Sequence, residues 1–255
     1  MLLTFALKIN EKTLILTAQQ PVYLPWLGLF HKIALADSFV WFDDVQYQKK
    51  DWNNRNKIKT QNGPIWLIVP VLSKNHFEKK VGRIKINNDL PWAKKHLKSI
   101  QFSYSKSKYF DHYYDFFKDV YNKEWMFLSD LNLHILEFFL KELKIEVPII
   151  KLSDLKLSGQ KSDLVLNMCK HLKAKIYIFG GEGRNYADKE KFIESGVRPY
   201  FQEYNHPVYF QIHGNFVPNL SITDLLFNMG PDSYDIIMSG NLNRVDINLS
   251  LSKNE

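Results

Sequence analysis

Three stretches of the chain gather side chains that could do chemistry. The first is Gln19-Gln20-Pro21-Val22-Tyr23-Leu24-Pro25-Trp26, where two amides, a phenol and an indole sit on a loop stiffened by Pro21 and Pro25. A stiff loop loses little entropy when it holds a ligand, although an ordinary strand-to-helix turn has the same composition. The second is Asp43-Asp44 with the polar run that follows it. A carboxylate at a strand end can act as general base, Mg²⁺ ligand or ribose contact, or simply form the turn. Between Lys49 and Lys59 come Lys49, Lys50, Trp52, Asn53, Asn54, Arg55, Asn56, Lys57 and Lys59. Arg forks a phosphate and Asn fixes a base or sugar, so this run points to phosphate recognition more than to a solvated hairpin. The third stretch runs from Tyr204 to Phe216 and holds His206, Tyr209, His213 and Asn215. A loop histidine titrates near neutral pH, which makes His206 the acid–base candidate; its alternative role is a hydrogen bond to nearby backbone.

Gly180-Gly181-Glu182-Gly183-Arg184 follows an apolar run and precedes a helical one. Glycines let the backbone approach a phosphate, and a helix N-terminus favours an anion. The run is neither a Walker A nor a full GxGxxG, so a flexible turn explains it equally well. His206 and His213 are seven apart without a matching Cys or acid motif, so no metal site is expected. His31 and His96 lie in helical runs and read as structural. The lone cysteine, Cys169, reads as a buried small hydrophobe rather than a nucleophile.

The elements that must position these groups follow from periodicity. Thr13–Thr17 and Phe39–Phe42 are short apolar strands, with a helix over Trp26–Ala36 between them. That β-loop-α-β unit places Gln19–Trp26 and Asp43-Asp44 on one rim of a parallel sheet, where open α/β sheets bind ligands. Strands are also expected at Ile65–Val71, Ile84–Ile86, Val147–Lys151, Ile176–Phe179 and Val197–Gln202. Helices are expected over Trp92–Phe102, Lys108–Tyr121, Leu128–Leu143, Ser162–Leu172, Lys189–Ser195 and Leu220–Met229. The expected architecture is therefore an α/β fold with a mostly parallel sheet core, flanking helices and a helical middle insert over about residues 90–145. A single domain spans 13–240, after an extension at 1–12 and before a loosely held polar tail at 241–255.

The lone cysteine fits a reducing compartment. Residues 1–6 do not read as a signal peptide, and no run of about 18 apolar residues could span a membrane. A cytoplasmic location is the resulting expectation. The net charge of +7 suits an anionic small substrate plus a solvated lysine face, because the lysines are spread along the chain; nucleic acid is the other reading.

Five ordered motifs resemble the WbqC-like family. They are Gln20-Pro21-x-Tyr23-x-Pro25-Trp26-x-Gly28, Asp43-Asp44-Val45-Gln46-Tyr47, Trp52-x-x-Arg55-Asn56-x-Ile58-Lys59-Thr60, His206-Pro207-x-Tyr209, and Leu220-Ser221-x-x-Asp224-Leu225-Leu226-Phe227-Asn228-x-Gly230. The resemblance runs from about Leu14 to Asp235. It implies a role in surface-polysaccharide (O-antigen-type, lipopolysaccharide) biosynthesis and a transferase that forms a glycyl or other aminoacyl amide on a nucleotide-linked amino sugar. Carried over residue by residue, it implicates Gln20, Tyr23, Trp26, Asp43, Asp44, Gln46, Arg55, Asn56, Lys59, His206, Tyr209, Asp224 and Asn228. Two departures stand out. Leu29 stands where the family often has Tyr, and Gly180 where it tends to have Ser.

On this reading His206, Asp44 or Asp43 is the base. Arg55 and Lys59 grip the diphosphate, and Trp26 or Trp52 stacks on base or sugar. Activating a free amino acid would require ATP and Mg²⁺, with Gly180, Gly181, Gly183 and Arg184 as the phosphate site; a charged tRNA would instead use the basic surface. The alternatives are a metal-dependent glycosyltransferase using Asp43 or Asp44, and a non-catalytic module of the same pathway. The early and late polar stretches are expected to share one cleft.

Overall fold

Five short apolar runs, each flanked by a turn, make the central sheet. In the computed structural model, which describes residues 13–72 and 79–247, they are β1 (Ile15–Gln19), β2 (Ser38–Trp41), β5 (Ile149–Lys151), β6 (Ile176–Phe179) and β7 (Arg198–Phe201). Their order is β5-β2-β1-β6-β7, and every pairing is parallel. Alternation sorts their side chains. Leu16, Ala18, Val40, Tyr177 and Phe179 pack on one face with Leu164, Met168 and Cys169 of α6 (Lys161–His171) and Phe192 of α7 (Lys189–Glu194). Ile15, Ile176 and Ile178 face the other way, against Leu35 and Ala36, which follow α1 (Leu27–Ala34). Helices on both faces are what a fully buried parallel sheet requires. Cys169 lies in the first of these layers, and burial pushes its thiol up to about 12.

The insert is helical as the three-four spacing predicts: α2 (Trp92–Tyr104), α3 (Phe110–Asn122) and α4 (Leu128–Glu142). Before it stands a two-stranded antiparallel hairpin, β3 (Arg55–Thr60) and β4 (Gly63–Ile68). The expected strand at Ile65–Val71 therefore starts earlier and ends at Ile68. The strand expected at Ile84–Ile86 is absent as such. A 3₁₀ turn at Val81–Arg83 leads into single bridges, Val71 to Ile86 and Lys85 to Phe127. The largest core cluster joins the insert to α1, the hairpin and α8 (Ile222–Met229). Its hub is Phe227, which stacks on Tyr104 at 4.9 Å and on Phe117 at 5.5 Å. Burying a ring of that size contributes about 2–3 kcal/mol.

A short α5 (Leu152–Leu155) follows β5, and α9 (Ser233–Met238) follows α8. Residues 241–247 are not loose. The Leu242 carbonyl bonds His31 Nε2, Arg244 pairs with Asp37, and Ile247 is fully buried. A polar composition concealed one apolar anchor and one ion pair. The expected extension at 1–12 and the rest of the tail lie outside the described residues. No helix among the described residues is long and apolar enough to cross a membrane.

Candidate functional site

The connections from β1 to β2 and from β6 to β7 depart in opposite directions, so the sheet's topological switch point lies between the carboxyl ends of β1 and β6. Open α/β sheets bind ligands at such a point, beyond the carboxyl ends of the strands. Gln19 and Gln20 arrive from β1, and Gly180 and Gly181 from β6. Lys32 reaches the same place from α1. Helical side chains lean toward the N-terminus, so a lysine one turn down the helix rises to the rim. Its Nζ donates to the Ala18 carbonyl at 3.0 Å and to Gln19 Oε1 at 2.9 Å. It lies 4.0 Å from where a Cβ on Gly180 would be. Lys32 is only 4% exposed, and no carboxylate among the described residues pairs with it. Burial pulls its pKa down to about 8. Gln20 Oε1 is enclosed and has no partner.

Gly180 and Gly181 need their glycines for no internal reason. Neither has a left-handed backbone, and a Cβ on either meets nothing closer than 4.0 Å. That openness fits an approaching ligand. Gly183 differs: a Cβ there would sit 2.5 Å from Phe179, so its glycine serves packing. The loop does not deliver a helix N-terminus. It folds into a 3₁₀ turn at Gly181–Asn185, and α7 starts only at Lys189, capped by the Asp188 side chain on Lys191 N–H at 3.1 Å. Arg184 pairs with Glu203 at the mouth of a cleft of about 690 Å³ beside β7, lined also by Tyr200, Phe201, Asn205 and Asn241.

The Pro-rich loop is a wedge rather than a ligand clamp. Pro21 to Pro25 are buried, and only Trp26 emerges. The Tyr23 hydroxyl lies at 2.9 Å from His96 Nδ1 and bonds the Tyr121 hydroxyl, inside the helical insert. His96 is structural, and burial lowers its pKa to about 4. The three asparagines act as struts. Asn53 Nδ2 donates to the Pro21 carbonyl at 2.6 Å, Asn54 Nδ2 to Val69 at 2.8 Å and Asn56 Nδ2 to Leu24 at 2.6 Å. The last bond braces Leu24 at a φ of 45°, a conformation that costs a non-glycine residue about 1–2 kcal/mol. Trp26 lies over the first turn of α1, where a Cβ on Gly28 would strike its ring at 2.4 Å. That accounts for the Trp-x-Gly spacing.

Lys59, Tyr209, Asp224 and Asn228 meet in a second place, a buried polar knot. Tyr104 and Tyr209 each donate a hydroxyl hydrogen bond to Asp224 at 2.9 Å. Lys59 Nζ donates to Gln211 Oε1 at 3.1 Å and to the Asn215 carbonyl at 2.6 Å, and its backbone N–H donates to the Tyr104 hydroxyl at 3.1 Å. Asn228 Nδ2 donates to the Asp224 carbonyl and its Oδ1 accepts from Ile212 N–H. Asp224 is fully buried. Burial raises its carboxyl to about 6, against the lowering effect of the two hydroxyls and of Lys59.

The early and late motifs do come together, through hydrogen bonds. Besides the Lys59 contacts, Ser221 N–H donates to the Lys57 carbonyl at 2.9 Å, and Asn219 N–H donates to His206 Nε2 at 3.2 Å. That bond makes Nε2 an acceptor, so Nδ1 carries the proton it gives to the Pro207 carbonyl. Both ring nitrogens of His206 are thus engaged, and burial lowers its pKa. Asp43 accepts from Ser153 N–H and Oγ, and Asp44 pairs with Lys80 at 2.6 Å. Gln46 forms a backbone bridge to Lys80. The Trp52 and Arg55 side chains pack against Trp66 of the hairpin, while the Trp52 carbonyl accepts from Tyr23 N–H at 3.1 Å.

The fold defines a doubly wound α/β protein whose sheet has its topological switch point between β1 and β6. The WbqC-like protein family's profile matches residues 20–236, and the chain belongs to that family. An uncharacterized protein of Mycobacterium tuberculosis is 36% identical over 220 residues, covering 86% of this chain and 95% of that relative. No solved structure matches the chain.

Lys32 was missed by motif reading because it stands in Phe30-His31-Lys32-Ile33, a helix with every residue from Leu27 to Ile33 buried. The signal was present. A lysine on a helix with no solvated face has to find polar partners inside.

Proposed function

We propose that the chain is a transferase that forms an amide on a nucleotide-linked amino sugar, and that the sugar nucleotide sits at the β1/β6 rim. Membership of the WbqC-like family links the chain to polysaccharide biosynthesis. The observation that carries the site is Lys32: a buried amine without a carboxylate partner among the described residues, at the switch point, beside a glycine that needs no glycine. A lysine with a pKa near the working pH can take a proton. Its two N–H bonds to Ala18 and Gln19 use both hydrogens of the neutral amine and leave the lone pair free.

In this mechanism Lys32 removes the proton of the sugar's ammonium. The amine nitrogen attacks the acyl carbon, the C–N bond forms, the bond from the acyl carbon to its carrier oxygen breaks, and the second nitrogen proton passes to that departing oxygen. Gly180 and Gly181 leave room for the diphosphate, and Gln20 Oε1 accepts from a sugar hydroxyl. If the donor is activated by ATP and Mg²⁺, the same two glycines offer the close approach a phosphate needs, while Gly183 does not. The metal-dependent glycosyltransferase reading loses support because Asp43 and Asp44 each already hold a partner.

A thermal-shift screen against UDP-, GDP- and dTDP-sugars, ATP and bulk tRNA tests the reading. A ligand at about 100 times its Kd stabilises by about 2.7 kcal/mol. The expected result is a shift with one sugar nucleotide that Lys32→Met abolishes. A full set of sugar nucleotides with no shift points to the non-catalytic alternative.

A further inference from the structure

On the β3–β4 hairpin the face that carries Lys59 into the knot continues outward at Arg55, Lys57, Trp66 and Ile68, and there its composition is unusual for a solvated sheet. Alternation turns Asn56, Ile58 and Leu67 inward, where all three are buried. Outward, the register sets Lys57 opposite Trp66 and Arg55 opposite Ile68. Trp52 joins them from the preceding loop, its ring 5.5 Å from that of Trp66. Trp52 is 46% exposed, Trp66 39% and Ile68 48%. Exposed edges are normally blunted with charge and short polar residues, so two half-exposed indoles mark a contact surface.

Cations are interleaved with those rings. Arg55 Cζ lies 4.7 Å from the centre of the Trp66 ring and Lys57 Nζ 4.8 Å from it. Arg55 spends one guanidinium donor on the Lys50 carbonyl, and its Nε is buried, so only its remaining terminal N–H groups can reach a ligand. Lys57 has no carboxylate partner among the described residues. Lys49 and Lys50 are exposed at the near end of the face. Asp51, next to Trp52 in the chain, accepts from Trp52 N–H at 2.7 Å. The face therefore offers flat rings and unspent cationic donors side by side, on a chain of net charge +7. A neutral sugar chain would use the rings and leave the cations idle; an inorganic anion would do the reverse. Single-stranded nucleic acid uses both, stacking its bases and neutralising its phosphates.

We propose that this hairpin face binds a short single strand of RNA, with bases on Trp52 and Trp66 and phosphates on Arg55, Lys57 and the Lys49–Lys50 pair. The binding claim stands on the hairpin alone. Its meaning as the single-stranded end of a charged tRNA, delivering the acyl group, rests on the transferase reading.

Fluorescence anisotropy with a labelled ten-nucleotide single-stranded RNA tests it on the full chain. Raising NaCl from 50 to 200 mM is expected to weaken binding roughly ten- to twenty-fold, from about three phosphate contacts on a single strand. Trp66→Ala is expected to weaken it about ten-fold, and Trp66→Phe to restore most of the loss. Lys57→Ala should reduce the salt dependence. An unchanged melting temperature in each variant shows that the fold survives. Absence of binding, binding that Trp66→Ala and Lys57→Ala leave unchanged, or tighter binding of an acidic polysaccharide through the same residues would each overturn the proposal. The sugar-nucleotide thermal shift, repeated in Trp66→Ala, keeps the two readings apart. If RNA binding fails while that shift remains, the rim reading stands; if the shift fails in the unaltered chain while RNA binding holds, the hairpin site stands.

Discussion

The knot around Asp224 and the rim around Lys32 each bury an ionisable side chain, and they resolve that cost in opposite ways. In the knot, every charged group is answered: two tyrosine hydroxyls for the carboxylate, and three protein oxygens within 3.4 Å for the Lys59 ammonium. At the rim, among the described residues, Lys32 has two neutral acceptors and no counter-charge, and Gln20 Oε1 has no partner. A saturated polar network rigidifies a fold, whereas an unsaturated one awaits a partner. Polar residues shared with the family therefore divide into two kinds. Asn56, Lys59, Tyr209, Asp224 and Asn228 hold the hairpin, the late loop and α8 to one another. Gln20 alone of the motif residues stands at the switch point with a free polar atom.

Exchanging the two lysines should break the comparison most sharply if it is wrong. Lys59→Met leaves Asp224 without its nearby cation and Gln211, Gly214 and Asn215 without their donor. Leaving buried acceptors without their donor costs about 1–3 kcal/mol each, and urea unfolding should show a loss of at least that size. Lys32→Met removes an uncompensated cation, so stability should change by less than about 1 kcal/mol or rise, while the sugar-nucleotide shift disappears. A Lys59→Met protein that keeps its stability and loses ligand binding would reverse the two roles.

The pH dependence of stability should separate the regions next, at about 3 kcal/mol each. The Asp224 carboxyl is raised from 3.8 to about 6 in the folded chain. Its contribution is fully present below 3.8 and is lost as pH rises through 6. Lys32 is lowered from 10.5 to about 8. Its contribution is present above 10.5 and is lost as pH falls through 8. Between pH 8 and 10.5 the wild type should gain stability that Lys32→Met does not. Below pH 6, His96, lowered from 6.5 to about 4, runs against Asp224: its contribution is present above 6.5 and is lost as pH falls through 4. The difference between wild type and Asp224→Asn therefore isolates the knot. Urea titrations at intervals of one pH unit measure all three.

The strands and helices were legible because their signal is local. The periodicity of Trp92–Phe102 or Leu128–Leu143 reads directly as a buried stripe, and the β1–α1–β2 unit predicts its own parallel pairing. The knot was not legible. Tyr104 and Asp224 are 120 residues apart and Lys59 and Gln211 are 152 apart, and nothing in the spacing of either pair says that they meet. Tyr23 and the asparagines looked like ligand contacts because polar residues in an irregular stretch suggest exposure. Here the stretch is buried, and buried irregular backbone needs side-chain partners for its carbonyls, which Asn53, Asn54 and Asn56 supply. Residues 241–247 misled for the reverse reason, since one buried Ile247 outweighs the polar composition around it.

A glycine pair repeats the comparison, and one of its two members carries the smallest expected effect on stability. Gly230 follows the knot's helix at a φ of 54°, and a Cβ there would lie 2.5 Å from the Tyr109 ring. Gly230→Ala should therefore cost about 1–3 kcal/mol, from strain and overpacking together. Gly180 has a φ of −69°, and its added Cβ would touch only the end of the Lys32 side chain, at ordinary contact distance. Gly180→Ala should leave stability within about 0.5 kcal/mol, because no backbone or packing requirement is violated. If the rim is a ligand site, the same methyl occupies the space a diphosphate needs beside Lys32, and the sugar-nucleotide shift should shrink or vanish in a protein that melts as the wild type does. A Gly180→Ala chain with full stability and an undiminished shift would mean that the ligand lies elsewhere along the carboxyl ends. The cleft beside β7, with Arg184 and Glu203 at its mouth, is then the place to which the site would move.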